Sequence, residues 1–157
     1  MSDGVGVQIV PFEPRFGAAF KGLNEEWITR FFVLEPADRK VLDAPEANII
    51  AVGGHILIAL LGADVVGTCA LLKVDTESYE LAKMAVAPRA QGKGIGRQLG
   101  EAAISLARAQ GARRLYLESN TKLEPAIALY RGLGFTERPA RGSSYTRCNL
   151  HMELALP

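Results

Sequence analysis

At 157 residues and 48 % apolar composition, the chain is long enough to bury a full core and is expected to form one domain spanning residues 1–157. A net charge of only +1 argues against a binder of long polyanions, so no nucleic-acid partner is expected. No apolar run approaches the ~18 residues of a membrane span, and the N-terminus lacks the basic-then-apolar layout of a signal peptide. A cytoplasmic protein with no membrane partner is the expectation.

Val7 to Phe12 reads as a first strand, ended by Pro11 and Pro14. Residues 15–33 read as a helix, with Phe16, Phe20, Leu23, Trp27 and Phe31 at helical spacing. Pro36 suits the first turn of a short second helix reaching about Leu42. After Gly53-Gly54, the run His55 to Leu61 reads as a strand, and Gly62-Ala63-Asp64 turns the chain into its hairpin partner, Val65 to Val74. A third consecutive strand covers about Tyr79 to Ala87. The next helix has one apolar face (Ile95, Leu99, Ala102, Ala103, Leu106, Ala107) and is stopped by Gly111. A strand (Arg114 to Glu118), a helix (about Glu124 to Leu133) and two closing strands (Phe135 to Arg138, Tyr145 to Leu154) complete the chain. Antiparallel strands followed by a β-α-β crossover predict a mixed, twisted α/β sheet of about seven strands flanked by about four helices.

The most informative stretch is Gln91-Gly92-Lys93-Gly94-Ile95-Gly96, which lies between a strand and an amphipathic helix. Its glycines permit a tight turn, and the helix start offers unpaired N–H donors and a positive dipole end, a combination suited to phosphate or pyrophosphate. Arg89, Lys93 and Arg97 bracket it, and residues 88–114 hold six Lys/Arg against one Glu. A P-loop would need Ser or Thr after Lys93, where Gly94 stands. A dinucleotide fingerprint would need Gly-x-Gly-x-x-Gly tight against a strand end. Glu118, near the end of the next strand, would suit that reading, but the glycine spacing does not.

The pattern Gln-x-x-Gly-x-Gly after Val86-Ala87-Pro88 resembles the acyl-CoA pyrophosphate loop of the GNAT N-acetyltransferase superfamily. Leu115-Tyr116-Leu117-Glu118-Ser119-Asn120 and Ala126-Ile127-Ala128-Leu129-Tyr130-Arg131-Gly132-Leu133-Gly134-Phe135 continue the resemblance, which covers residues 80–138. It implies a GNAT-like sheet and acetyl-CoA as co-substrate, bound by Gln91, Gly92, Lys93, Gly94, Ile95, Gly96 and Arg97. It also implies that the strand before the loop splays from its neighbour and offers main-chain groups of Met84, Ala85 and Val86 to the pantetheine arm. Tyr130 matches the tyrosine that protonates the leaving CoA thiolate, and packing alone is the alternative role. Asn120 matches a polar position beside the cofactor arm.

Other assignments come from the residues themselves. Acyl transfer to an amine needs a base, because a free α-amino group has a pKa of about 8 and lysine about 10.4. Glu80, placed on the same strand face as Ala82, Met84 and Val86, is the candidate base, against the alternative of an ordinary surface glutamate. In the last strand, Tyr145, Arg147 and Asn149 alternate with apolar neighbours. They are candidates to line the acceptor pocket, Arg147 gripping a substrate carboxylate, or else a solvated face. Asn24 to Trp27 could form the opposite wall. Cys69 and Cys148 read as reduced core thiols, and His55 and His151 belong to no ligand-spaced cluster, so no metal is expected.

The combined expectation is an N-acetyltransferase acting on a primary amine of a small metabolite, amino acid or peptide. The acceptor carries a carboxylate if the Arg147 assignment holds, and attack is direct, within a ternary complex. A non-catalytic acyl-CoA sensor and a protein lysine or N-terminal acetyltransferase are the alternatives. The assembly state is left open, a homodimer included.

Overall fold

The computed structural model describes residues 6–139 and 142–157. Its seven strands form one mixed sheet in the order β1-β2-β3-β4-β5-β7-β6. In chain order the elements are β1 (Gln8–Pro11), α1 (Gly17–Phe31), α2 (Pro36–Asp43), β2 (His55–Leu61), β3 (Asp64–Asp75) and β4 (Ser78–Val86). They continue as α3 (Ile95–Ala109), β5 (Arg114–Ser119), α4 (Glu124–Gly132), β6 (Thr136–Arg138) and β7 (Leu150–Ala155). A single π-helical turn, Glu46–Ile50, precedes β2 and has no counterpart in the sequence reading. Among the described residues only β4 and β5 run parallel, as the crossover through α3 requires.

The sheet has a core on each face. Phe20, Ile28, Leu42 and Ile49 pack on Ile56, Ile58 and Ala70 under α1 and α2. Ile95, Leu99, Ala103 and Ala107 of α3 pack on Leu57, Val66, Leu71, Leu81, Leu115 and Leu117 on the other face. In α1 the buried line is Phe20, Asn24, Ile28, while Phe31 is exposed. That is a rotation from the expected apolar stripe. Asn24 sits in the core because its amide is satisfied there, donating to Phe20 O (2.9 Å) and Thr68 Oγ1 (3.0 Å).

Two irregularities of β4 position everything that follows. Its parallel ladder with β5 runs only from Ser78↔Arg114 to Glu80↔Tyr116, although β4 continues to Val86 and β5 to Ser119. Beyond Glu80 the strands part. In addition, the register with β3 shifts by one between Ala70↔Ala82 and Thr68↔Ala85, a β-bulge centred on Lys83, whose φ of 51° is left-handed. The extra residue reverses the alternation. Glu80, Ala82 and Ala85 therefore share the α1/α2 face, whereas Val86 falls on the α3 face, packed against that core. The single face expected for Glu80, Ala82, Met84 and Val86 is broken at this bulge.

Gly67 lets α3 lie close over β3. A Cβ there would stand 3.0 Å from Leu99 Cδ1 and 3.3 Å from both Ala59 Cβ and Ile95 Cγ2. Gly67→Val should overpack this contact and cost about 1–3 kcal/mol, read as a lowered urea midpoint with an unchanged slope. A wild-type midpoint would show that α3 has room to move away.

Candidate active site

The parting of β4 and β5 opens a cleft through the sheet. Asn24, Trp27, Ile28 and Phe32 wall it on the α1 side, and residues 80–84 of β4, Glu118 and Ser119 of β5 and the following Asn120 form its flanks. Leu123, Ala126 and Tyr130 close it from the α4 side, and Tyr145, Arg147 and Cys148 from the β6–β7 connection.

The glycine loop leads into the first turn of α3; its residues are not among those lining the cleft, and it is joined to the neighbouring elements through Val86 and Leu129. Gly92 (φ 80°) and Gly94 (φ 79°) are both left-handed, a backbone that a β-branched residue strongly resists. Gly94 is the N-cap of the helix and supplies no side-chain cap to its first N–H groups, which is the arrangement that suits an anion. Gln91 Nε2 donates to Val86 O (3.1 Å), joining the loop to the strand end and taking one carbonyl expected to serve the cofactor. Gly96 has a packing role as well, since a Cβ there would lie 3.3 Å from Leu129 Cδ2 of α4. Arg97 is an exposed cation near Glu101 (3.3 Å), and Arg89 near Asp64 (3.8 Å).

Glu80 stands where the two strands part. Burial, and then the nearby Glu118 carboxylate, push its pKa from 4.5 up to about 7. Tyr130 reaches the cleft from α4, its ring edge-on to Phe135 with centroids 6.1 Å apart. Burial, then Cys69, raises its hydroxyl, so it carries its proton at neutral pH. Glu80 faces the α1/α2 side and Tyr130 packs on the α3 side. The gap in the sheet joins them.

The residues from Tyr145 to Asn149 differ from their sequence assignment. They are not a strand, because β7 starts at Leu150. The polar alternation that suggested a pocket face belongs to a turn-rich connection. Arg147 lines the cleft, but its two-pronged geometry is already filled: Nη1 donates to Asp38 Oδ2 (2.7 Å) and Nη2 to Asp38 Oδ1 (2.6 Å), with Glu35 Oε2 at 3.4 Å. Lys83 Nζ also donates to Asp38 Oδ1 (2.8 Å) and to Tyr145 OH (3.0 Å). Asp38 is fully buried. Burial alone would raise its pKa, but the Arg147 and Lys83 donors outweigh it and hold the carboxyl at about 2.

Asn149 is not among the residues lining the cleft, and its amide clasps Thr121 through N (2.9 Å) and Oγ1 (3.3 Å). Asn120 lines the cleft, yet its amide is used within the chain, donating to Arg147 O (2.8 Å) and accepting from Lys122 N (2.9 Å). Met84 lines the cleft, while Ala85 is buried. Cys69 is a core thiol as expected, but Cys148 is half-buried in the cleft wall. Asp38 and Lys83 carried no sequence signal, being an ordinary helix-start acid and an apparently outward strand lysine.

The chain belongs to the acetyltransferase (GNAT) family, whose model matches residues 20–135. It is 32 % identical over 106 residues to the [ribosomal protein bS18]-alanine N-acetyltransferase of Salmonella typhimurium, covering 66 % of this chain and 72 % of that one. Against two other curated relatives, 41 % and 42 % identical, the chain spans 41 % and 56 % of their length, about half. An acetyltransferase of the GNAT family from Staphylococcus aureus Mu50 superposes with a TM-score of 0.87 at 21 % identity, over 97 % of this chain and 100 % of that one. The structure of yncA from Salmonella typhimurium with its cofactor acetyl-CoA superposes with a TM-score of 0.76 at 20 % identity, over 97 % and 95 %. These two likenesses establish the fold. No helix among the described residues is long and apolar enough to cross a membrane.

Two stability outcomes follow from the cleft's charges. Arg147→Ala should cost about 3 kcal/mol in chemical denaturation, because it strips a buried carboxylate of its main partner. Unchanged stability would mean that Lys83 alone suffices. Glu80 has a raised native pKa, so the stability from its bound proton is complete below its ordinary pKa of 4.5 and is lost as pH rises through about 7. Glu80→Gln should therefore melt higher than wild type at about pH 8, the gap closing towards about pH 5. Parallel melting curves at both pH values would contradict this electrostatic account.

Proposed function

We propose that this chain is an N-acetyltransferase moving an acetyl group from acetyl-CoA to a primary amine by direct attack in a ternary complex. One observation supports the reading: Glu80 and Tyr130, packed towards opposite faces of the sheet, both line the opening left where β4 and β5 part. The pyrophosphate would lie on the N–H donors of the glycine loop and α3, and the pantetheine arm would run along β4 past Met84. The amine would enter from the α1/α2 side, past Trp27 and Tyr145.

Glu80, with a pKa of about 7, is half ionised near neutrality and takes the proton of the attacking amine, directly or through water. The nitrogen forms the new C–N bond, the tetrahedral centre collapses, and the C–S bond breaks. Tyr130 supplies the proton that the departing thiolate acquires. An acyl-cysteine route is disfavoured, since burial and then Glu118 raise the Cys148 thiol and leave it a poor nucleophile near pH 7.

The cleft's charges also indicate the acceptor. Four carboxylates (Glu35, Asp38, Glu80, Glu118) gather at or just behind the cleft wall against Lys83 and Arg147, and both of these cations are bound to Asp38. This surplus favours a cationic amine and gives no open fork for a substrate carboxylate. A small amine or a peptide α-amine fits, the latter favoured by the likeness to the alanine N-acetyltransferase. Use of acetyl-CoA suits the cytoplasm.

The deciding measurement is a pH–rate profile with a panel of amines. Wild-type kcat/KM should rise along a limb with its midpoint near pH 7 and level off above it, and Glu80→Gln should lose that limb and about 10²–10³-fold in rate. Tyr130→Phe should lower kcat while leaving acetyl-CoA affinity nearly intact. Wild-type rates in both variants would remove the proposed acid–base pair. Tight acetyl-CoA binding with no thiol release from any amine would favour a sensor.

A further inference from the structure

Beside the reactive pair, three metal-binding side chains from separated parts of the chain converge. Glu118 of β5 and His151 of β7 stand opposite each other in antiparallel register, and the turn before β7 brings Cys148 to both. One donor atom from each lies within 4.8 Å of the other two. Cys148 Sγ is 3.5 Å from His151 Nε2. Tetrahedral zinc, with bonds of about 2.3 Å to sulfur and about 2.0 Å to imidazole, sets those two atoms about 3.5 Å apart. The thiol also lies 3.7 Å from Leu150 O, with Ser143 and the Ser119 backbone as further hydrogen-bond partners that a metal would replace. Ser143 Oγ donates to Glu118 Oε1 at 2.6 Å, which orients the carboxylate and leaves its second oxygen for an ion.

The donor set is also chemically apt. A thiolate, an imidazole and a carboxylate are the three protein ligands that zinc accepts, and three such ligands leave a fourth position for water or an incoming group. The sequence reading expected no cluster around His151. The Cys-x-x-His spacing of Cys148 and His151 becomes chelating only when the sheet delivers Glu118.

We propose that Glu118, Cys148 and His151 form a zinc-class divalent-cation site in the wall of the acceptor cleft. Binding releases the Cys148 thiol proton to solvent, so the ion's two positive charges are balanced by the thiolate and the Glu118 carboxylate. Glu118 and Cys148 both line the cleft, so a bound ion stands against the path of the acceptor. The site is independent of which residue serves as the base.

The test uses cobalt(II) as a spectroscopic probe on the full chain after treatment with a chelator. A thiolate-to-cobalt charge-transfer band should grow to saturation at one equivalent, with the strong visible bands of four-coordination, and zinc should bleach both. Cys148→Ala, with its fold checked by thermal melting, should lose the band even though Cys69 remains. Glu118→Gln should keep the band but bind cobalt at least about tenfold more weakly. Absence of a charge-transfer band at a large excess of cobalt, or a band undiminished in Cys148→Ala, would overturn the site.

Discussion

The early end of the β4–β5 ladder is the constraint on which the rest depends. Continued pairing would have filled the sheet between Glu80 and Val86 with backbone hydrogen bonds, leaving no cleft. The left-handed Lys83 lies at the centre of the departure. That conformation costs a non-glycine residue about 1–2 kcal/mol, so it must be held by its surroundings. Thr68 Oγ1 donates to Lys83 O (3.0 Å) while accepting from Asn24, and the Lys83 ammonium is tied to Asp38 and Tyr145. A bend in one strand is thereby anchored to α1, α2 and the β6–β7 connection together.

Asp38 is the hub of this arrangement. A buried carboxylate without donors is costly, and here three groups share it: Lys83, Arg147 and the Glu35 N–H (2.9 Å). Two cations that would otherwise dominate the cleft are thus neutralised internally. Burial, and then the neighbouring Glu118 carboxylate, give Glu80 its near-neutral pKa. One ion cluster therefore shapes the α1/α2 side of the cleft on which Glu80 lies.

Much of the fold was legible because it rests on short-range rules. Hydrophobic period, the Gly62 turn, Pro36 at a helix start and Gly111 past a helix end placed α2, β2, β3 and α3 within a residue or two. The π turn was not legible, because its five residues carry no pattern distinct from a loop. The Tyr145–Leu154 strand was half right. Its alternation is genuine in sequence, but the first five residues bond across to Ser119, Thr121, Glu35 and Asp38 and pair with no strand.

What the sequence by itself determined is the family and the glycine turn that opens α3, since a glycine loop before an amphipathic helix encodes its geometry in adjacent residues. The charged wall of the cleft was decided by tertiary structure. Asp38 meets Lys83 and Arg147, and Glu118 meets Cys148 and His151, across dozens of intervening residues, so no local spacing announces them. The bulge at Lys83 is the sharpest case. One extra residue in a strand turns later side chains to the opposite face, and only pairing with β3 reveals which residue is extra.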